Sequence, residues 1–379
     1  MTPGTLVMVT SGLNAGGSEL QLCQLATGMA LRGWDVNVIS LQGGGRYREI
    51  LERNQIGVHE CPVGRFAAPG AFLRLRSAIR ALGPEIVHTQ AFRANIWGRL
   101  AAVLDRTPVV ASIRATYSYL PRSYYPIERF LSARSAKVIV PSHATALHLV
   151  NRVGVPSKQV TTIANGVDTS LFGGVGDGVD FRRKWSLGGR FLILAPGRLT
   201  KQKNHLRVME AFGVFADRFP DSALVIAGAG PLEIALKKRG GELGKPVVFV
   251  GELDRQSLAN AMGAADAVVL ASSFEGMPNV LLEAMASRRA VIATCVDGSA
   301  ELVDDGVDGL LVPVGDTAEL VKALTRLVDA PSMRLAFGEA GRRKVERSFT
   351  IERNTLEHAR VYEEVISTCR SEAGGRAVS

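Results

Sequence analysis

The feature that most restricts the fold is a unit that recurs along the whole chain: a short apolar run, a glycine-containing loop and a helical pattern. Continuous apolar runs bounded by turn residues are typical of strands buried on both faces, as in parallel sheets. Strands that alternate with helices form βαβ units and hence doubly wound α/β domains. The runs are residues 6–9, 36–41, 85–88, 109–113, 137–140, 191–195, 223–227, 247–250, 267–270 and 291–295, and residues 307–311 are predicted to form a further short strand.

Chain length and one patternless segment predict two such domains. A chain of 379 residues exceeds what one hydrophobic core usually supports. Residues 173–180, GGVGDGVD, are rich in glycine and lack periodicity, which is typical of a linker. We therefore predict an α/β protein with one Rossmann-like domain over residues 1–172 and a second over residues 181–354.

Composition excludes several classes of protein. Hydrophobic residues make up 46% of the chain and charged residues 21%, which indicates a globular protein rather than a disordered one. No apolar run approaches the ~20 residues that span a bilayer, and residues 6–9 are too few for a signal-peptide core. The cysteines lack Cys-x-x-Cys spacing, which indicates neither zinc nor a disulfide framework and predicts a cytoplasmic protein. They are Cys23, Cys61, Cys295 and Cys369.

The positive charge is confined to the first half of the chain. Residues 1–170 hold 18 Lys and Arg against 9 Asp and Glu, whereas residues 171–379 hold 27 of each kind. Such an asymmetry predicts that the first half meets an anionic surface or substrate. Solubility alone is the other explanation, and it accounts poorly for the uneven distribution. No motif for nucleic-acid binding accompanies the charge.

The first loop argues against a dinucleotide-binding protein. It lacks the Gly-x-Gly-x-x-Gly pattern, and the next strand ends in Ser40-Leu41 without an acidic residue for a ribose. Gly16 and Gly17 would still let a ligand approach the following helix N-terminus closely, or they serve only a tight turn.

Three polar residues stand at predicted carboxyl ends of strands in the first half: His88, Arg114 and Ser142. Ligands of open α/β sheets bind outside these ends, so the three are candidate ligand contacts by position. A lone histidine is more often structural than catalytic, which weakens the prediction for His88.

Residues 115–130 hold four of the protein's six tyrosines, mixed with arginines and prolines. Tyrosine and arginine together suit an acceptor site or a membrane interface, and a well-packed loop is the alternative. The tyrosines and arginines are Tyr117, Tyr119, Arg122, Tyr124, Tyr125 and Arg129.

In the second half, residues 271–290, ASSFEGMPNVLLEAMASRRA, follow the predicted strand 267–270. A helical pattern starts at Asn279, directly after Pro278, and we expect Arg288 and Arg289 to close its last turn. A glycine-containing loop that leads into a helix N-terminus is a ready anion site.

Two carboxylates bracket this loop, Glu275 before the helix and Glu283 within it. A phosphate site with carboxylates nearby suits a phosphorylated polyol such as a nucleotide sugar, although periodicity alone favours an ordinary strand–loop–helix unit. Arg198 and Lys203 follow the predicted strand 191–195, where paired cations would hold a diphosphate.

Read together, these segments resemble the GT-B glycosyltransferases, specifically the large retaining family four, over nearly the whole chain. The most specific parts are Glu275 and Glu283 within SSFEGMPNVLLEAM, and Arg198 and Lys203 within GRLTKQKNH. The remaining motifs agree in order and spacing. They are Pro141-Ser142, Asn165-Gly166-Val167-Asp168, Gly228-x-Gly230-Pro231 and DGVDGLLVP at residues 305–313.

The resemblance implies a GT-B architecture, in which two Rossmann-like domains face each other across a cleft and a C-terminal helix, roughly residues 355–372, packs back on the first domain. It also implies donor contacts. Arg198 and Lys203 would bind the donor diphosphate, Glu275 the sugar and Glu283 the ribose. The other implied donor contacts are Gly16, Gly17, Gly276, Met277, Pro278 and Asn279, and residues near Val250 would line the base pocket through backbone groups.

The implied reaction is sugar transfer with retention from a nucleotide-diphosphate sugar, UDP-linked by preference, without an obligatory metal or other cofactor. The chain contains no Asp-x-Asp. The basic first half favours a glycan acceptor carried on a polyprenyl diphosphate at an anionic inner membrane face, as in bacterial-type polysaccharide or glycoconjugate synthesis. His88, Tyr117, Tyr119 and Arg122 are the candidate acceptor contacts.

One departure from the family pattern concerns Arg114, which stands where many members carry a histidine. Arginine cannot act as a base at neutral pH, so its catalytic role would be electrostatic. Two alternatives to transfer stay open. One is a nucleotide-sugar epimerase, another enzyme class of the same architecture, and the other, suggested only by Arg114, is a catalytically silent nucleotide-sugar-binding subunit.

Overall fold

The structure is a computed structural model that describes residues 4–14, 16–64, 68–114, 122–174, 176 and 178–376, with side chains as far as residue 371. The chain divides into two compact units. The first consists of Met1–Gly166 and Ile351–Ser379, and the second of Val167–Thr350. None of the described helices is long and apolar enough to cross a bilayer.

The first unit is built on a seven-stranded parallel sheet in the order β3-β2-β1-β4-β5-β6-β7. The strands are β1 (Thr5–Thr10), β2 (Asp35–Ser40), β3 (Gly57–Glu60), β4 (Ile86–Gln90), β5 (Val109–Ser112), β6 (Lys137–Val140) and β7 (Val160–Thr162). The helices are α1 (Gly17–Leu31), α2 (Arg48–Arg53), α3 (Pro69–Ala81), α4 (Phe92–Leu104), α5 (Tyr125–Ser132), α6 (His143–His148) and, from the chain end, α16 (Ile351–Arg376).

Helices cover both faces of this sheet, which explains the continuous apolar runs in the sequence. Alternate residues of one strand point to opposite faces. Leu6 and Met8 of β1 belong to a core shared with α1 and α16, whereas Val7 and Val9 belong to a core shared with α3 and α4. Tyr362 of α16 is fully buried in the first of these cores, so the last helix is an integral part of the first unit.

The second unit contains a six-stranded parallel sheet in the order β10-β9-β8-β11-β12-β13. The strands are β8 (Phe191–Pro196), β9 (Ser222–Ala227), β10 (Val247–Gly251), β11 (Ala267–Leu270), β12 (Ala290–Thr294) and β13 (Leu310–Val312). The helices are α7 (Thr169–Gly173), α8 (Val179–Lys184), α9 (His205–Arg218), α10 (Glu233–Glu242), α11 (Arg255–Ala264), α12 (Asn279–Ala286), α13 (Asp297–Leu302), α14 (Thr317–Asp329) and α15 (Pro331–Ser348).

Several helices begin at a polar side chain that accepts a backbone N–H of the first turn, which replaces a missing intrahelical bond. Asp254 accepts from Ser257 at the start of α11, and Asp316 does the same in α14. Ser142 is buried and caps α6 in this way, so the structure gives this predicted ligand contact a structural role.

The two units divide at a different point from the predicted linker. Residues 173–180 do not separate them, because α7 and α8 on either side both belong to the second unit, where Phe172 and Phe181 are buried in its core. The division falls between Gly166 and Val167, and again between Thr350 and Ile351. The last helix begins at residue 351 rather than near residue 355.

Most strands match their predicted runs to within one or two residues. β3 and β7 were not predicted, because edge strands of four and three residues carry too little periodicity to be distinguished from loops. β4 continues to Gln90, two residues beyond the predicted end at His88.

Candidate active site

The loops that follow β8 and β11 lie side by side at the carboxyl edge of the second sheet. The two strands are neighbours although β9 and β10 intervene in the sequence, so the strand order reverses between them. Crevices at such a point are the usual ligand sites of open α/β sheets. The predicted residues Arg198 and Lys203 lie in the first loop, and Glu275 lies in the second.

Three contacts fix these loops to each other. The backbone N–H of Ser273 donates to the carbonyl of Gln202 at 2.8 Å, and the Gln202 side chain donates to the carbonyl of Phe274 at 2.9 Å. Lys203 Nζ lies 2.5 Å from Glu275 Oε1. Both side chains of this ion pair are mostly buried, so the structure brings the two predicted residues into direct contact.

Gly230, in the loop after β9, allows that loop to pack closely against the loop after β8. A Cβ on Gly230 would lie 2.6 Å from the carbonyl oxygen of Leu199, and Gly230 has a φ of +159°, which side chains rarely adopt. The close approach allows the Leu199 N–H to donate to the carbonyl of Ala229 at 2.9 Å. Arg198, beside this contact, is exposed at the edge of the sheet.

Helix α13 contacts the backbone of the loop after β11. Gly298 donates its N–H to the carbonyl of Glu275 at 3.3 Å, and a Cβ on Gly298 would lie 1.8 Å from the carbonyl oxygen of Gly276. Only glycine fits this backbone contact. Gly276 and Pro278 are buried in the loop, whereas Met277 and Asn279 are partly exposed.

This contact leads to a first testable prediction, Gly298→Ala. We expect the new methyl group to displace the Gly276–Met277 peptide and to lower the rate of the reaction by about 10²-fold, the usual consequence of misplacing reactive groups by ~1 Å. Gly241→Ala is the matched control, because a Cβ at that position of α10 meets nothing within 4 Å. Turnover and melting temperature are compared for both variants, and wild-type turnover in Gly298→Ala would contradict the supporting role.

Helix α12 begins as predicted at Asn279, with Pro278 at the cap position. Proline has no side-chain acceptor with which to cap a helix, a situation suited to an anion at the N-terminus.

The prediction for the C-terminal end of α12 was wrong. The helix ends at Ala286, and Arg288 lies beyond it at a φ of +56° and pairs with Glu339 of α15 at 3.1 Å. Arg289 also lies beyond the helix and donates to the carbonyl of Ser287 at 3.0 Å.

Glu283 is buried within α12, and its Oε1 lies 2.8 Å from Nη1 of Arg255, at the start of α11. Burial raises the pKa of the Glu283 carboxyl, and the charges of Arg255 and Lys203 act in the opposite direction. The arrangement holds a carboxylate at the same edge of the sheet as Lys203. The sequence carried no sign of Arg255, because it lies on another helix, outside every motif.

His205 is a second residue near Lys203 that was not predicted from the sequence, although it follows directly after Asn204 in the motif GRLTKQKNH. It is buried at the start of α9, and burial together with the charge of Lys203 lowers its pKa to about 4. The imidazole is therefore neutral at pH 7 and adds no charge beside Lys203.

Val250 lies in β10, where the pairing with β9 shifts between Phe249 and Gly251. The side chain is partly exposed, and the neighbouring Gly251 accepts the N–H of Gly228 at 2.7 Å. A β-bulge of this kind redirects backbone groups at the edge of a sheet, which suits the predicted backbone contact with a base.

In the first unit, Gly16 and Gly17 lie at the start of α1, beyond the carboxyl end of β1. The carbonyl of Gly16 accepts the N–H of Leu20 at 3.0 Å.

Arg114 lies beyond the end of β5. It donates from Nε to Gln90 Oε1 at 3.2 Å and from Nη1 to Asn165 Oδ1 at 2.9 Å. Burial lowers the pKa of Arg114 to about 10, so the guanidinium stays protonated at pH 7. This residue can act only as a cation or a hydrogen-bond donor.

His88 is not at a ligand edge, which corrects its assignment as an acceptor contact. The side chain is fully buried, with Nε2 2.8 Å from Ser112 Oγ and Nδ1 bonded to the hydroxyl of Tyr362. Burial lowers the pKa of His88 well below its usual range. Both ring nitrogens are engaged inside the core, so the ring cannot reach an acceptor.

The tyrosine-rich segment is only partly described. Tyr117 and Tyr119 lie outside the described residues, whereas Arg122 is exposed at the start of a short 3₁₀ turn, Arg122–Tyr124. Tyr124 packs on Phe92 with ring centroids 4.7 Å apart, as in a packed loop. Within the described part of the chain, no group of three His, Cys, Asp or Glu side chains is placed to hold a metal ion.

Two family profiles match the chain, one in each half. The profile described as "Glycosyltransferase Family 4" matches residues 15–171, and that described as "Glycosyl transferases group 1" matches residues 180–344. Together they leave only the termini and residues 172–179 unmatched. The second match contains the whole edge formed by Arg198, Lys203, Glu275 and Glu283.

Named relatives agree with this assignment. Sulfoquinovosyl transferase SQD2 of Arabidopsis thaliana is 28% identical over 72% of this chain, which spans 56% of that protein. The UDP-Gal:alpha-D-GlcNAc-diphosphoundecaprenol alpha-1,3-galactosyltransferase of Escherichia coli is 28% identical over 70% of this chain and 72% of its own.

A solved structure extends the likeness to the fold. HepE of Anabaena in complex with UDP-glucose superposes with a TM-score of 0.84 at 20% identity, covering 97% of this chain and 99% of that one. The two parallel sheets with flanking helices are those of GT-B enzymes. The chain belongs to the GT-B glycosyltransferases of family 4.

Proposed function

We propose that this glycosyltransferase transfers a sugar from a UDP-sugar, with retention of the anomeric configuration, to a glycan carried on a lipid diphosphate. The observation that carries the donor assignment is the clustering of Lys203, Glu275 and Glu283 at the carboxyl edge of β8 and β11. One edge thus offers a cation for a diphosphate and carboxylates for sugar and ribose hydroxyls. HepE was solved with UDP-glucose, which supports a UDP-linked donor for this chain.

The proposed chemistry concerns the charge on the leaving diphosphate. Cleavage of the bond between the sugar and the diphosphate develops negative charge, and fixed cations and backbone dipoles stabilise it without reorganisation. Arg198, Lys203 and the N-terminus of α12 are the groups assigned to this role. Gly276, Met277, Pro278 and Asn279 would present backbone groups to the phosphate and the sugar.

The ion pair between Lys203 and Glu275 suggests how donor binding changes the site. A diphosphate carries more charge than one carboxylate and would draw Lys203 Nζ away from Glu275. The released carboxylate would then accept hydrogen bonds from the hydroxyls of the donor sugar. In this role Glu275 orients the sugar, and it does not form a covalent intermediate.

Retention follows if the acceptor hydroxyl attacks from the same face that the diphosphate leaves. The leaving phosphate oxygen would take the proton, so no separate base is needed. Arg114 is protonated at pH 7 and would contribute charge toward the acceptor or donor, not proton abstraction. Gly16 and Gly17 keep their assignment as donor contacts on the strength of the family pattern.

Charge and surface composition support an anionic, lipid-linked acceptor. The first unit holds 22 Lys and Arg against 13 Asp and Glu, whereas the second holds 23 of each. On α5, Ile127 and Phe130 are exposed beside the exposed Arg129, and the guanidinium of Arg134 stacks on Phe130 at 3.7 Å. Apolar and basic side chains on one helix suit an anionic membrane surface, and the Escherichia coli relative is named for a diphosphoundecaprenol acceptor.

The test is a screen of UDP-sugars by thermal shift, followed by transfer assays in EDTA. We expect one UDP-sugar to raise the melting temperature, because it binds only the native state. That donor should support transfer in EDTA to a polyprenyl-diphosphate glycan, with the anomeric configuration retained in the product by NMR. An inverted product or a requirement for metal would contradict the mechanism. Isomerisation of the donor alone would identify an epimerase, and binding without transfer a silent subunit.

A further inference from the structure

Arg255 approaches Glu283 from a different helix and is held by two contacts, one to the carboxylate and one to an aromatic ring. Its Nη1 lies 2.8 Å from Glu283 Oε1, and its guanidinium carbon lies 5.0 Å from the centre of the Phe172 ring. Its Nη2 is buried and has no hydrogen-bond partner among the described residues. An arginine between an aromatic ring and a carboxylate has little freedom to move, so the pair is a preformed unit.

The electrostatics of Glu283 depend on this arginine. The cations that act on the carboxylate are Arg255 of α11 and Lys203 of the loop after β8. Lys203 already forms an ion pair with Glu275, so its charge is shared. Of these two cations, Arg255 is the one that donates a hydrogen bond to the Glu283 carboxylate, at 2.8 Å. Removal of one partner of such a buried pair leaves the other charge uncompensated.

We propose that Arg255 is a positioning residue for donor binding, which fixes Glu283 through Oε1 so that Oε2 meets the ribose hydroxyls. This inference rests on the proposed function, since it assumes that Glu283 binds ribose. Arg255 acts through Glu283 and is assigned no contact with the reacting atoms.

The first experiment measures UDP affinity by calorimetry for the wild type, Arg255→Gln and Arg255→Lys. We expect a loss of about tenfold or more in Arg255→Gln, equivalent to one pKa unit of interaction. Lysine keeps the positive charge but lacks the planar guanidinium group and its contact with the Phe172 ring. UDP affinity in Arg255→Lys should therefore lie between that of Arg255→Gln and that of the wild type. Arg239→Gln is the matched control, because Arg239 lies in the same unit and pairs with Glu242 on the surface.

The pH dependence separates positioning from a loss of folding. Burial raises the pKa of Glu283 and Arg255 counters this effect, so removing Arg255 raises the pKa further. Below that pKa the carboxyl is protonated and can no longer accept from both ribose hydroxyls. UDP affinity should therefore begin to fall at a higher pH in Arg255→Gln than in the wild type. An equal loss at every pH would overturn the proposal.

A ribose-modified probe and a double variant distinguish the ribose contact of Glu283 from the positioning role of Arg255. 2′,3′-Dideoxy-UDP should bind more weakly than UDP to the wild type, and this preference should shrink in both Glu283→Gln and Arg255→Gln. The double variant should bind UDP no more weakly than Glu283→Gln, because Arg255 acts only through Glu283. Unchanged preference in Glu283→Gln would refute the ribose assignment itself. Unchanged preference in Arg255→Gln alone would refute only the role of Arg255.

Discussion

Alanine at both Arg198 and Lys203 is expected to lower kcat/KM for sugar transfer by about 10³-fold or more. A single preorganised donor to a developing oxyanion is worth ~10²–10³ in rate, and this variant removes two cations assigned to the leaving diphosphate. Lys203→Ala also leaves Glu275 without its partner at 2.5 Å, in a mostly buried position. The carboxylate would then repel the diphosphate, which adds to the loss.

Steady-state release of UDP and calorimetric titration with UDP measure the effect, and a melting curve checks that the variant is folded. Lys201→Ala is the matched control, because Lys201 is an exposed cation of the same loop. It should stay within a few-fold of the wild type, as exposed charges contribute little. Unchanged UDP affinity in the double alanine variant would show that the diphosphate binds elsewhere.

Arg99→Met is expected to lower the free energy of unfolding by about 3–5 kcal/mol, the usual cost of leaving a buried charge without its partner. Arg99 Nη2 of α4 lies 2.7 Å from Glu128 Oε2 of α5, and both side chains are essentially inaccessible to solvent. Ser132 donates to the other carboxylate oxygen at 2.7 Å. The ion pair therefore holds α5 against α4, and Ile127 and Phe130 lie on the exposed face of α5.

Urea titration followed by circular dichroism and tryptophan fluorescence measures this change. Arg53→Met is the matched control, since Arg53 pairs with Glu49 at 3.3 Å with both side chains 77% exposed. Its effect should stay below ~1 kcal/mol. Replacing both Arg99 and Glu128 by apolar residues should recover much of the stability, because no charge is then left buried. A small effect in Arg99→Met would mean that Glu128 finds another partner or water.

Local patterns predicted the second unit well. The strand Ala267–Leu270 and the helix start at Asn279 are observed where the sequence placed them. A buried parallel strand requires a continuous apolar run, and the turn that follows requires glycine or proline. Both signals lie within a few residues of each other, so they can be interpreted without knowing the rest of the fold.

The assignments that failed depend on residues far apart in the sequence. His88 looked like a strand end, yet Tyr362, at the other end of the chain, covers it and occupies its Nδ1. The predicted linker failed for the same reason, because Phe172 and Phe181 gain their burial from the core of the second unit. The burial of these residues depends on packing against distant parts of the chain, which the local pattern around them does not indicate.

The sequence by itself determined the α/β class, the parallel strands and the positions of Arg198, Lys203, Glu275 and Glu283 in loops and helix starts, because these depend on short-range periodicity and turn chemistry. Only the tertiary structure decided that Lys203 binds Glu275 and that Arg255 binds Glu283. Each pair joins residues on separate elements, and strand order in the sheet, not distance along the chain, brings those elements together.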